Sequence, residues 1–87
     1  MKRVRFTVEA PGAESVLLAA DFTDWEGHAR KMRRVRRGSP AFATTVSLAP
    51  GTYQYKFLVD GEWVEDPKAE SVANSFGTHN SVRRVSG

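Results

Sequence analysis

Cysteine is absent from the chain. Its absence excludes a disulfide scaffold and thiolate metal sites, and it suits a reducing, cytoplasmic compartment. Histidine occurs only as His28 and His79, far apart and without HxH or HExxH spacing. No metal site or other cofactor is expected from so sparse a ligand set. No apolar run approaches the ~20 residues that a membrane-spanning helix needs. The opening stretch, Met1-Lys2-Arg3-Val4-Arg5-Phe6, has no apolar segment behind its charges, so neither a secretory signal nor a membrane partner is expected. There is no GxSxG elbow, P-loop or GxGxxG turn. A sustained apolar stripe at helical spacing is missing as well, which leaves strands as the main element.

What is present is an ordinary globular mixture: 87 residues, 40% hydrophobic and 26% charged, enough for one domain over residues 1–87. A chain of this size buries little more than ~60% of its unfolded surface, so its core is single and thin. The length also leaves little room for a catalytic apparatus. Glycoside hydrolysis needs two carboxyl groups held about 5–9.5 Å apart across a cleft. Glu62, Glu65, Asp66 and Glu70 instead crowd into a turn and the loop after it, where they read as solvated surface. The sequence therefore points away from an enzyme. The net charge of +3 hides a cluster, because Arg30, Lys31, Arg33, Arg34, Arg36 and Arg37 are six bases within eight positions. Such a run reads as a solvated hairpin or edge strand kept apart by charge. It could also meet an acidic partner, with nucleic acid disfavoured.

Alternation marks the strands. Val4, Phe6 and Val8 alternate with polar side chains, and Val16 and Leu18 point inward from the next run. Asp21 to Trp25 loses the alternation and reads as a loop carrying aromatics. Met32 and Val35 mark a weak strand within the basic stretch. Phe42, Thr44, Val46 and Leu48 form another inward set. Pro50-Gly51 suits the centre of a type II turn. Tyr53, Tyr55, Phe57 and Val59 then share one face, with Gln54, Lys56 and Leu58 on the other. Asp60-Gly61 signals a two-residue hairpin into Glu62-Trp63-Val64, and Asp66-Pro67 ends that strand. Lys68 to His79 reads as a long loop, and Ser81 to Val85 as the last strand. About seven strands with turns between them predict an all-β sandwich. Its expected core holds Val4, Phe6, Val16, Leu18, Phe42, Val46, Tyr55, Phe57 and Val59.

Strand alternation places Tyr55 and Phe57 in the core and leaves two tryptophans over. Trp25 follows a polar loop and Trp63 follows a hairpin turn, positions poorly suited to full burial. An exposed indole offers a flat apolar face and one N–H donor. Those features match a pyranose ring, whose axial C–H groups form an apolar patch while its hydroxyls seek hydrogen bonds.

The motifs carry a resemblance. Val16-x-Leu18-x-x-x-Phe22-x-x-Trp25 is followed by Leu48-x-Pro50-Gly51-x-Tyr53-Gln54-Tyr55-Lys56-Phe57-x-Val59-Asp60-Gly61-x-Trp63-x-x-Asp66-Pro67. The tail Phe76-Gly77-Thr78-x-Asn80-Ser81-Val82 completes the set. This pattern, from about Arg5 to Val85, resembles carbohydrate-binding module family forty-eight. That family includes the glycogen-binding modules of the AMP-activated kinase β subunit and the N-terminal domains of isoamylases and branching enzymes.

The resemblance implies an immunoglobulin-like, early-set β-sandwich that binds α-1,4-glucans such as glycogen, starch and maltooligosaccharides without catalysis. It implies that Trp25 and Trp63 stack on successive glucose units while Lys56 and Asn80 hydrogen-bond hydroxyls. Two aromatic planes set at an angle suit a curved α-glucan, and Asn supplies both a donor and an acceptor. Phe76 stands where the kinase-subunit branch usually has leucine, and it is expected to form a third wall of the sugar site. The basic run has no counterpart in the family pattern. The expected partner is the glucan, together with a glucan-processing enzyme or kinase that carries or binds the module. The alternative is a structural or protein-interaction sandwich that uses a basic hairpin to hold an acidic partner.

Overall fold

Alternating apolar side chains become two facing antiparallel sheets in a computed structural model of the chain, which describes residues 1–86. The smaller sheet has the order β1-β5-β4, with β1 at Lys2–Glu9, β5 at Ala41–Leu48 and β4 at Arg33–Arg34. The larger has the order β3-β2-β6-β9-β8: β3 is Arg30–Lys31, β2 Val16–Ala20, β6 Gly51–Val59, β9 His79–Val85 and β8 Glu70–Ala73. A short β7, Glu62–Val64, pairs with β6 on the same side as β9. Two 3-10 turns, Asp21–Thr23 and Trp25–His28, follow β2.

The core lies between the sheets. Phe6, Leu18, Tyr55 and Phe57 are fully buried, and Tyr55 packs edge-on against Phe6 at 4.9 Å and Phe57 at 5.7 Å between ring centroids. Offset and edge-on contacts of this kind avoid stacking the like-charged ring faces. Val4, Val16, Phe42 and Val46 are buried as the alternation predicts, whereas Val59, at the end of β6, is only partly covered. Phe22 closes one side of the core, 6.1 Å from Phe6 and 5.7 Å from Tyr53.

The structure departs from the sequence reading at four places. The basic run supplies an edge strand to each sheet, one of the two forms expected of it, and is not a hairpin. It is a crossover: β3 pairs with β2 in one sheet, Met32 drops into the core at 2% exposure, and β4 pairs with β5 in the other sheet. Arg30 donates to the Thr45 carbonyl at 3.3 Å, and Arg34 donates to the Ala13 carbonyl at 3.2 Å and stacks on Phe42. Arg30 thus ties the two sheets together, and Arg34 ties β4 to the loop before β2. The expected loop from Lys68 to His79 contains β8, a strand exposed on both faces. An edge strand with no buried face shows no alternation, so its sequence gives no strand signal.

The turn expected at Pro50-Gly51 is absent, because β5 and β6 belong to different sheets and the chain passes between them rather than doubling back. Gly51 already pairs with Val85, and the Tyr53 hydroxyl donates to the Ala49 carbonyl at 2.7 Å across this bend. Asp66, expected as solvated surface, is part-buried and accepts the Tyr55 phenol proton at 2.7 Å. Its backbone N–H donates to the fully buried Ser81 hydroxyl at 2.8 Å. With the basic stretch split in two and β8 added, the described residues hold nine strands.

Candidate functional site

Every second residue of β6 faces outward from the larger sheet, so Gln54, Lys56 and Leu58 line one face in a row. Register adds neighbours to that row. Trp63 of β7 lies directly across from Leu58, and Asn80 of β9 lies one residue beyond the Tyr55–Ser81 pair, beside Lys56. Both β7 and β9 run along the same side of β6, one after the other. The outer face therefore collects side chains that lie far apart in the chain.

The first 3-10 turns bring Trp25 to the same face. The Asp21 carboxylate accepts the Gln54 backbone N–H at 3.0 Å, which fastens the turn to β6. The buried Thr23 hydroxyl accepts the Ala20 N–H at 2.9 Å and lies 2.8 Å from the Trp25 carbonyl and 3.0 Å from that of Ala20, one of which takes its proton. Asp24 and Trp25 both adopt the left-handed region, with φ of 54° and 53°. For a bulky residue this conformation is strained and persists only where surrounding contacts enforce it. The second turn packs on β2, where Ala19, register partner of Lys56, is fully buried although it belongs to the outer face. A small side chain there allows the close approach.

These elements enclose an open cleft of about 670 Å³. Trp25, Trp63 and Phe76 supply its aromatic lining, and Gln54, Lys56 and Asn80 part of its polar lining. Trp63 is 45% exposed and Phe76 is 89% exposed, while Trp25 is part-buried. The five residues singled out from the sequence, Trp25, Lys56, Trp63, Phe76 and Asn80, all border this one cleft.

The structure also shows a network that sequence reasoning missed. Asn74 is its hub. Its side-chain oxygen accepts the backbone N–H groups of Phe76 at 3.0 Å and Thr78 at 3.1 Å. Its amide donates to the Thr78 hydroxyl at 2.7 Å and to the Asn80 oxygen at 3.0 Å. Asn80, only 7% exposed, donates in turn to Gln54 at 3.0 Å, and Lys56 donates to Thr78 at 3.2 Å. Asn80 is therefore less free than an exposed asparagine: one donor and one lone pair are already engaged, leaving one of each. Gln54 could have been found from its position two residues before Lys56. Thr78 stood in the tail motif without an assigned role, and Asn74 carried no signal, because its bonds are made within and across a loop.

Comparison with known proteins gives a consistent result. The family model described as the glycogen recognition site of AMP-activated protein kinase matches residues 3–87. The chain is 34% identical over 74 residues to 5'-AMP-activated protein kinase subunit beta-1 of Sus scrofa, covering 85% of this chain and 57% of that protein. It is 37% identical over 83 residues to the chloroplastic protein FLOURY ENDOSPERM 6 of Oryza sativa subsp. japonica, covering 95% and 15% respectively. It is 36% identical over 74 residues to the chloroplastic PTST homolog 2 of Arabidopsis thaliana, covering 85% and 13%. The chain thus spans between 13% and 57% of the length of these relatives. Match and fold together show that the chain belongs to the family of glycogen-recognition modules typified by that of AMP-activated protein kinase.

Proposed function

We propose that the chain is a non-catalytic module that binds α-1,4-glucans, as glycogen, starch chains or maltooligosaccharides. One observation carries this reading: Trp25 and Trp63, from separate elements, border the same open cleft with Phe76, over a hydrogen-bonding floor. Indole faces stack on the apolar faces of glucose units, and Lys56 and Asn80 donate to their hydroxyls. Phe76 forms a third wall against the curved chain. The Gln54–Asn80–Asn74–Thr78–Lys56 network holds the polar groups in place before sugar arrives, which lowers the ordering cost of binding. The family membership supports the ligand class. In this role the module is an anchor. It brings the kinase or glucan-processing enzyme that carries or binds it to the polysaccharide.

Retardation in gels containing glycogen, with β-cyclodextrin as competitor, tests the reading. Trp25→Ala and Trp63→Ala should each weaken binding by about 2 kcal/mol or more, roughly thirtyfold, with unchanged far-UV circular dichroism. Failure of glycogen to slow the unaltered protein would remove the glucan assignment, whereas unchanged retardation of both variants would place the sugar site elsewhere.

A further inference from the structure

The face opposite the cleft has its own composition. On the smaller sheet, Val4, Phe6, Val8, Phe42, Val46 and Leu48 point into the core, so their neighbours point out. Register then places Arg3 beside Ser47, Arg5 beside Thr45, and Thr7 beside Ala43, which is also paired with Arg33. The central strand β5 presents only small side chains on this face: Ala41, Ala43, Thr45 and Ser47. Arginines stand on both flanking strands. With strands ~4.8 Å apart, β1 and β4 bound a shallow trough about 10 Å wide.

Its charge is uncompensated. Glu9, at one end, is the only carboxylate on the three strands. Among the described residues, the one ion pair is Arg84–Glu70, on the other sheet. Arg3, Arg5 and Arg33 are exposed and come together only through the pairing of strands that lie far apart in the chain.

We propose that this face is a docking surface for an acidic polypeptide segment. Planar guanidinium forks match carboxylates in a bidentate fashion. A floor of alanine, serine and threonine lets a partner backbone approach closely. The strands present no aromatic side chain outward on which bases could stack, and no large apolar side chain that could enter a lipid surface, so peptide is favoured over nucleic acid and membrane. The surface lies on the back of the sandwich, so a bound partner leaves the cleft open. The proposal holds whether or not the cleft takes a glucan.

Fluorescence anisotropy with a labelled oligoglutamate peptide tests this, using two triple variants that remove equal charge. Arg3, Arg5 and Arg33 are changed to Thr in one, which keeps strand propensity. Lys31 of β3, in the larger sheet, and Arg36 and Arg37, in the turn after β4, are changed to Thr in the other, since none belongs to the three strands. The first should lose about tenfold in affinity, the loss expected from three exposed ion pairs, and the second less than about twofold. In the unaltered protein, the peptide should shift the amide resonances of Ala43, Thr45 and Ser47, and saturating β-cyclodextrin should leave peptide affinity unchanged. Equal losses in both triples would reduce the effect to diffuse charge and overturn the proposal. So would the absence of shifts on β5, or tighter binding of a duplex oligonucleotide or phosphatidylserine vesicles than of the peptide.

Discussion

Phe76 is among the most exposed large apolar residues of the protein, and its position depends on one side chain. Asn74 accepts both the Phe76 and the Thr78 N–H, and Gly77 between them has a φ of 82°, which only glycine adopts freely. The loop is thus built to hold a large apolar group in solvent, an arrangement that burial alone would not favour. Phe76→Ala should change stability by no more than about 0.5 kcal/mol, as for other exposed positions. β-Cyclodextrin affinity, measured by calorimetry, should nevertheless fall. Asn74→Ala should lower the affinity too, and in addition destabilise the protein by about 1–3 kcal/mol, because it strips four hydrogen bonds from the loop and from Asn80. If Phe76→Ala lowers the melting temperature sharply and spares affinity, the side chain belongs to the packing and not to the site.

Among the elements, the crossover from β3 to β4 departs most from what its sequence suggests. Six bases in eight positions look like solvated surface, yet Met32 fills the core between them and its N–H donates to the Val16 carbonyl at 2.8 Å. Met32→Ala should cost about 2–5 kcal/mol in chemical denaturation, as for other buried methionines. Arg34→Ser should cost about 1 kcal/mol, since it loses contacts to Ala13, Ser39 and the Phe42 ring. Arg36→Ser and Arg37→Ser should fall within about 0.5 kcal/mol of the unaltered protein. A stability loss shared evenly among the arginines would contradict the division into anchored and free bases. Hairpin β6–β7 is the opposite case. Asp60 and Gly61 both take positive φ, 48° and 85°, as the Asp-Gly pair predicts. The Asp60 carboxylate also accepts the Ser15 N–H at 2.8 Å, a tie to the start of β2 that no local pattern reveals.

At the scale of the molecule, stability at high pH depends on one buried phenol. Burial pushes the Tyr55 hydroxyl well above the ordinary tyrosine range, and its hydrogen bond to the Asp66 carboxylate pushes it further, against an opposing effect from Arg83. The folded state therefore holds this proton more tightly than the unfolded chain. The resulting stabilisation is complete below the unfolded phenol's pKa, about 10, and is lost as pH rises through the alkaline range above it. Urea midpoints should fall steeply above about pH 10. Tyr55→Phe should flatten that fall while lowering stability near neutrality by about 1 kcal/mol through the lost hydrogen bond. A midpoint with the same alkaline slope in both proteins would place the pH sensitivity elsewhere.

Sequence by itself determined the strands with one buried face. For Val4-Phe6-Val8 and Tyr55-Phe57, alternation is the direct imprint of a half-covered sheet, and Asp60-Gly61 is a turn whose backbone angles few other pairs accept. The positions of the aromatics also singled out Trp25 and Trp63, because large apolar groups at turns are conspicuous, whereas Phe76 drew notice only as a departure from the family pattern. Tertiary structure decided what depends on which strands become neighbours. Strand β8, exposed on both faces, leaves no alternation to read. Met32 is buried only because the chain changes sheets there, a fact absent from its basic surroundings. Asn74 gains its role from partners four and six residues away and across a strand pair, and Arg3, Arg5 and Arg33 share a face only through β5. Hydrophobic burial is written locally, one side chain at a time, whereas hydrogen-bond networks and charged faces arise from pairings between distant segments.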